Sequence, residues 1–256
     1  MTVEKIEEVL KNGKGFIGFT VAGDPDFDKS VDYVVTLAEA GADVVEIGIA
    51  FSDPSADGET IMKADLRAAE AGSTTEKVFE FVTNVRKRTQ VPLVFLTYTN
   101  PVFKYGYEAF LAKMKQLNVQ GIIMPDMPLE EQDEFVTLAE KYDRSFIQLI
   151  TLKSGERIPN IIKRASGFVY VVSSLGITGM RQKLSTDSHN LITQIKKLTN
   201  VPTAIGFGIS QPEQMSQFKN ADAVIVGSAI VNIIEAHPYD AEEALQNFVN
   251  AMKTAW

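Results

Sequence analysis

From Phe16 onward the chain repeats one unit: a short apolar run, a turn rich in Gly, Asp or Pro, and a stretch with apolar residues at helical spacing. The apolar runs lie at 16–22, 43–49, 91–98, 120–125, 145–151, 167–173, 201–207 and 221–227. Between them the helical pattern is carried by sets such as Val31, Val34, Val35 and Ala38, or Val78, Phe81, Val82 and Val85. The last such face, Ala241, Ala244, Leu245, Phe248, Val249 and Met252, is the cleanest. Ahead of the first run, residues 2–13 predict a short amphipathic helix with Val3, Ile6, Val9 and Leu10 on one side. Ser30 is the expected cap of the helix after the first strand.

Several runs are apolar almost throughout rather than alternating, as in parallel strands covered on both faces. Eight strand–helix units in a chain of 256 residues, with no composition break, predict one α/β domain over 1–256, a (β/α)8 or TIM barrel with an extra N-terminal helix. A doubly wound open sheet is the alternative, weakened because no G-x-G-x-x-G opens the first helix.

Composition narrows the chemistry. Cys is absent, which excludes disulfides and thiolate nucleophiles or metal sites. The only histidines, His189 and His237, sit in polar surroundings and read as surface residues, so a metal centre is not expected. A formal charge of −8 gives no support to nucleic-acid binding, and no apolar stretch is long enough to span a membrane. No charged-then-apolar leader is present, and these features fit a cytoplasmic enzyme. Trp256, the only Trp, is expected at the terminus to report poorly on the core.

The stretch 44–61, VVEIGIAFSDPSADGETI, carries the candidate chemistry. Glu46 stands inside an apolar strand, where a carboxyl must be paired, hydrogen-bonded or protonated. Asp57 follows on a turn-rich loop. A dry acid beside a wetter one suits acid–base work at neutral pH. A core acid and a helix cap are the structural alternatives for the two. At the predicted C-terminal rim lie Gly-rich segments after strands six to eight, which fit a phosphate on backbone N–H groups, with Ser228-Ala229-Ile230 starting a short helix. The polar segment 173–187 reads either as a lid or as plain surface loop.

These segments resemble the tryptophan synthase α subunit family along the chain from its first helix to its last. The resemblance rests on Val21-Ala22-Gly23-Asp24-Pro25, Glu46-Ile47-Gly48, Phe51-Ser52-Asp53-Pro54 with Ala56-Asp57-Gly58, Pro125-Asp126, Gly176-Ile177-Thr178-Gly179, Gly206-Phe207-Gly208-Ile209-Ser210 and Gly227-Ser228-Ala229-Ile230-Val231. It implies a lyase in tryptophan biosynthesis that cleaves indole-3-glycerol phosphate to indole and glyceraldehyde 3-phosphate without metal or cofactor of its own. It assigns Glu46 to proton transfer at the ring carbon, Asp57 to the indole N–H, and Thr178 to lid closure. Gly179, Gly208, Gly227 and Ser228 would hold the phosphate, and Phe19, Tyr98, Tyr170 and Phe207 would wall the indole slot. The resemblance further implies an α2β2 assembly with a β subunit that carries pyridoxal phosphate, with Asp53 and Pro54 as docking residues. Gly18, Ala50, Ser55 and Glu59 depart from the family's usual residues, so altered coupling to that partner is expected. A Schiff-base aldolase using Lys153, a phosphate-sugar isomerase, and a catalytically silent binding subunit remain as alternatives.

Overall fold

The computed structural model describes residues 4–172, 181–206 and 208–256, with backbone only for 181–186. Its strands are β1 (Gly15–Val21), β2 (Val44–Gly48), β3 (Leu93–Leu96), β4 (Val119–Ile123), β5 (Ser145–Phe146), β6 (Gln148–Thr151), β7 (Val169–Val172), β8 (Thr203–Gly206) and β9 (Ala223–Val226). All pairings are parallel, and the order β5-β4-β3-β2-β1-β9-β8-β7-β6 places β5 and β6 at the two ends of the ladder. Those two segments are one pass of chain. The 145–151 run expected as a single strand breaks at Ile147, pairing with β4 before the break and with β7 after it. The ring of eight passes is thereby closed through the chain itself, which is the predicted barrel.

The helices are α1 (Ile6–Leu10), α2 (Phe27–Glu39), α3 (Glu59–Glu70), α4 (Thr75–Arg86), α5 (Thr99–Tyr105), α6 (Tyr107–Gln116), α7 (Asp133–Lys141), α8 (Ile158–Ile162), α9 (Arg181–Lys196), α10 (Pro212–Met215), α11 (Ser228–Ala236) and α12 (Glu242–Ala255). Three differ from expectation. Asp26, not Ser30, caps α2, accepting the Lys29 N–H at 2.8 Å, while Ser30 lies inside the helix. An additional helix, α5, forms directly after β3 with Pro101 in its first turn, where proline is tolerated. The C-terminal part of the predicted lid, from Arg181, is the start of α9, and His189 lies within that helix rather than before it. Both histidines are exposed.

Two layers of core follow from the alternation of side chains along the strands. Ile17, Val44, Val94, Ile123, Ile147, Phe168, Tyr170, Ala204 and Ile225 cluster inside the ring, one or two per pass, with Ile6 and Leu10 of α1 packed onto them. A larger cluster fills the space between the ring and the helices and includes Trp256. Trp256 is therefore a core residue and reports on it, against the expectation from its terminal position. No helix among the described residues is long and apolar enough to cross a membrane.

Candidate active site

Glu46 is two residues beyond Val44 on β2, so its side chain lies on the same interior face, nearer the C-terminal rim. Its neighbours in register are Phe19 on β1 and Val94 on β3. The residue is 1% exposed, and Oε2 has no hydrogen-bond partner among the described residues. Burial pushes its carboxyl up to about 8, and the charge of nearby Asp57 adds to the push. A protonated carboxyl tolerates an unsatisfied oxygen far better than an anion does.

Asp57 is placed by the loop between β2 and α3. The Tyr98 hydroxyl donates to Asp57 Oδ2 at 2.7 Å and accepts the Ala56 N–H at 2.9 Å. The Tyr98 ring stacks on Phe51 with centroids 5.2 Å apart. Tyr98 thus holds both the entry and the tip of the loop, a task that its reading as an indole wall did not contain. Burial raises the Asp57 carboxyl, and the Tyr98 hydrogen bond pulls it back. The loop acid is half-buried, so it is drier than the sequence suggested. The Tyr98 hydrogen bond stabilises the Asp57 anion while Glu46 is fully buried with Oε2 unsatisfied among the described residues, so of the two Asp57 ionises first.

Tyr170 on β7 is buried, its phenol pushed up by burial and by the charges of Glu46 and Asp57. A Cβ on Gly206 would sit 2.5 Å from the Tyr170 hydroxyl, so glycine is the residue that lets β8 pass this ring. Phe19 is buried, and a Cβ on Gly48 would come within 2.9 Å of its ring. Glu46, Asp57, Phe19, Tyr98 and Tyr170 therefore gather at one end of the barrel.

Gly227 is the N-cap of α11 and Ser228 its first residue, as the sequence predicted for a short helix after the last strand. Helix N-termini present free N–H groups and favour anions. Gly208 has a φ of +80° and open space where a Cβ would stand. Thr178, Gly179 and Phe207 lie outside the described residues. Asp53 is exposed and Pro54 half-buried on the outer part of the β2–α3 loop. Lys153 is exposed, which does not suit a desolvated Schiff-base lysine.

Sequence reasoning missed two groups behind the loop. Asp24, fully buried after β1, receives a bidentate pair from Arg67 of α3, Nε to Oδ1 at 2.6 Å and Nη2 to Oδ2 at 2.9 Å. Arg67 Nη1 also reaches Glu235 of α11 at 3.1 Å. Asp65, 7% exposed, lies on the buried face of α3 with Ile61, Ala64 and Ala68. An acid on the apolar stripe of an amphipathic helix was the available signal.

A model of the tryptophan synthase alpha chain family matches residues 7–255. The chain belongs to the tryptophan synthase alpha chain family. It is 52% identical over 256 residues to the tryptophan synthase alpha chain of Lacticaseibacillus casei, covering 100% of this chain and 96% of that one. It is 49% identical over 249 residues to that of Lactiplantibacillus plantarum, covering 96% and 94%. Among solved structures, the tryptophan synthase subunit alpha of Legionella pneumophila superposes with a TM-score of 0.89 at 31% identity, covering 98% of this chain and 97% of that chain. A chain from the tryptophan synthase a2b2 complex of Pyrococcus furiosus gives 0.87 at 33% identity, covering 94% and 98%. The tryptophan synthase alpha chain is a lyase that cleaves indole-3-glycerol phosphate to indole and glyceraldehyde 3-phosphate in tryptophan biosynthesis, and this is the reaction of the chain described here.

Proposed function

We propose that Glu46 and Asp57 carry this cleavage, within one barrel spanning 1–256, and the observation that carries the reading is the buried Glu46 carboxyl beside Asp57, its Oε2 without a hydrogen-bond partner among the described residues. With its carboxyl held at about 8, Glu46 is protonated at neutral pH and delivers a proton to the ring carbon that bears the glycerol phosphate chain. Asp57, ionised first, accepts the indole N–H and faces the positive charge that develops on the ring. The Glu46 carboxylate then takes the proton of the adjoining side-chain hydroxyl. As that carbon becomes the aldehyde of glyceraldehyde 3-phosphate, the electron pair of the breaking carbon–carbon bond returns to the indole. One proton enters at carbon and one leaves from oxygen, so the step balances without an external reagent.

Phe19 and Tyr170 flank Glu46, and they form the slot together with Phe207 and the Tyr98 ring. The phosphate rests on the backbone of Gly208, Gly227, Ser228 and Gly179, supported by the free N-terminus of α11 and the open face of Gly208. Thr178 closes over the slot toward Asp57. The chain requires no cofactor for this step and works in the cytoplasm. It docks through Asp53 and Pro54 on a β subunit that carries pyridoxal phosphate, in an α2β2 assembly. A complex of that composition is the state of the Pyrococcus furiosus relative. Ser55 and Glu59 alter the same loop, and Glu59 turns its carboxylate to Lys63 at 2.8 Å, so stimulation by a standard β subunit is expected to be weaker than for relatives lacking these residues.

Indole release from indole-3-glycerol phosphate by the purified chain, with and without a β subunit, tests the reading. Release that requires Glu46 supports it, and release unaffected by loss of that carboxyl overturns the assignment. Tyr98→Phe removes the hydroxyl that holds Asp57 and Ala56 while keeping the ring on Phe51. Its kcat is expected to fall about tenfold or more, because small misplacements of a reacting geometry have large effects, with the fold unchanged by circular dichroism. An unchanged kcat would mean that Asp57 is positioned without Tyr98.

A further inference from the structure

Asp126 belongs to the Pro125-Asp126 pair that carries part of the family resemblance, yet none of the steps above uses it. It follows β4 on the same rim of the barrel as Tyr98, in a turn closed by the Met127 N–H on Met124 O at 3.3 Å. One carboxylate oxygen, Oδ1, accepts two hydrogen bonds there, from the Thr99 backbone N–H and from the Thr99 hydroxyl, both at 2.9 Å. Thr99 is the first residue of α5 and the immediate neighbour of Tyr98. The N–H of a first helical residue has no partner within its own helix, and the Asp126 carboxylate satisfies it.

Tyr98 is thereby pinned on both sides. Before it, the Thr97 N–H donates to Ile123 O at 3.1 Å and the Thr97 hydroxyl to Ile49 O at 3.4 Å. After it, where the chain turns into α5, Asp126 holds Thr99 through the two bonds just described. The Tyr98 ring is a rigid lever on this short stretch of backbone, and its hydroxyl meets Asp57 Oδ2 at 2.7 Å and the Ala56 N–H at 2.9 Å. Hydrogen bonds weaken steeply as their geometry departs from the ideal, so a shift of the backbone at Thr99 is felt at the hydroxyl. The path from Asp126 to Asp57 thus consists of hydrogen bonds and one covalent step along the chain. The Asp126 side chain is exposed, so its removal leaves neither a buried charge nor a cavity.

We propose that Asp126 is a positioning residue for the cleavage reaction: by fixing Thr99 it sets where the Tyr98 hydroxyl stands, and so where Asp57 meets the indole N–H. The inference rests on the role given to Asp57 above. Asp126 acts through Tyr98 and takes no part in the proton transfers.

Asparagine and alanine separate the brace from the charge. Asp126→Asn keeps an oxygen able to accept both Thr99 bonds, and Asp126→Ala removes it. The experiment is steady-state cleavage of indole-3-glycerol phosphate by the wild type and both variants, each also combined with Tyr98→Phe. Asp126→Ala is expected to lose about fivefold to tenfold in kcat, with KM changed by less than about twofold. Asp126→Asn is expected to retain most of the wild-type kcat. In the Tyr98→Phe background the hydroxyl is already gone, so Asp126→Ala should cost little more, and this cycle isolates the part of its effect that passes through Tyr98. Equal losses with and without the Tyr98 hydroxyl would overturn the proposal, as would an Asp126→Asn enzyme as impaired as Asp126→Ala.

Hydrogen exchange at the Ala56 amide, followed by NMR, gives a readout independent of catalysis. That N–H donates to the Tyr98 hydroxyl, so Asp126→Ala should speed its exchange several-fold toward the rate in Tyr98→Phe, while Asp126→Asn leaves it near the wild-type rate. Unchanged exchange in Asp126→Ala would overturn the inference itself. Faster exchange with kcat unchanged would leave the brace standing and overturn its catalytic consequence together with the role of Asp57. Thr99→Val deletes only the hydroxyl bond to Asp126, and it carries the test, with a smaller loss of the same kind, if Asp126→Ala does not fold.

Discussion

Glu46→Gln reduces indole release by at least ~10²–10⁴-fold, the range that a positioned general acid contributes. Gln keeps the size of the side chain and its place on β2 between Phe19 and Val94, so the loss is one of proton transfer and not of shape. The amide is neutral, as the protonated acid is, and leaves the interior no more charged than before. Folding is expected to be retained, and substrate affinity to change far less than kcat, because the proton is transferred only in the transition state. The pH profile supplies a second check. Glu46 acts in its protonated form and its carboxyl is held at about 8 by burial and by Asp57, so activity declines as pH rises through that value. Asp57→Asn removes the Coulombic part of the push and is expected to move that alkaline limb to lower pH, though burial keeps it well above 4.5. Retention of most activity by Glu46→Gln in single-turnover measurements would show that another group delivers the proton.

Arg67→Ala is expected to destabilise the fold by about 3–5 kcal/mol, the usual cost of leaving a buried charge without its partner. Asp24 is 0% exposed, and Arg67 supplies two parallel hydrogen bonds at 2.6 and 2.9 Å. On balance the Asp24 carboxyl is raised, burial outweighing the pull of the guanidinium, while the same contact raises Arg67. The short bidentate geometry marks Asp24 as ionised in the native protein. The deficit of the mutant is therefore largest near neutral pH and shrinks in acid, where Asp24 takes up a proton and needs no cation. Arg67→Lys retains charge but not the fork, so it recovers only part of the loss. Urea unfolding followed by Trp256 fluorescence measures this, since Trp256 is packed in the outer core. A change below about 1 kcal/mol, the scale of an exposed pair, would show that the clamp is solvated in solution. Because Arg67 ties the end of β1 to α3 and to α11, some loss of activity should accompany the loss of stability.

The repeating pattern of apolar runs and helical faces determined the barrel, because a strand buried on both faces has no polar side to display, and eight such runs with helices between them have few ways to bury themselves. The same pattern exposed Glu46, an acid where the strand tolerates none without cause. It also located α11, whose Gly227-Ser228 start follows from glycine at a helix entry. The break at Ile147 was not legible, since β5 and β6 are equally apolar and only their pairing to different neighbours separates them. Nor was the role of Tyr98, whose hydroxyl meets Asp57 from 41 positions away. Asp24 and Arg67 stand 43 positions apart, and no local rule connects them. Asp65 gave a visible anomaly on its helix face without showing what it faced. Local pattern records which residues avoid water, and so the sequence determined the layers of this protein and its buried acid. Hydrogen bonds and charges act between particular atoms across the fold, so the tertiary structure alone decided which groups hold the acids in place and how strongly each retains its proton.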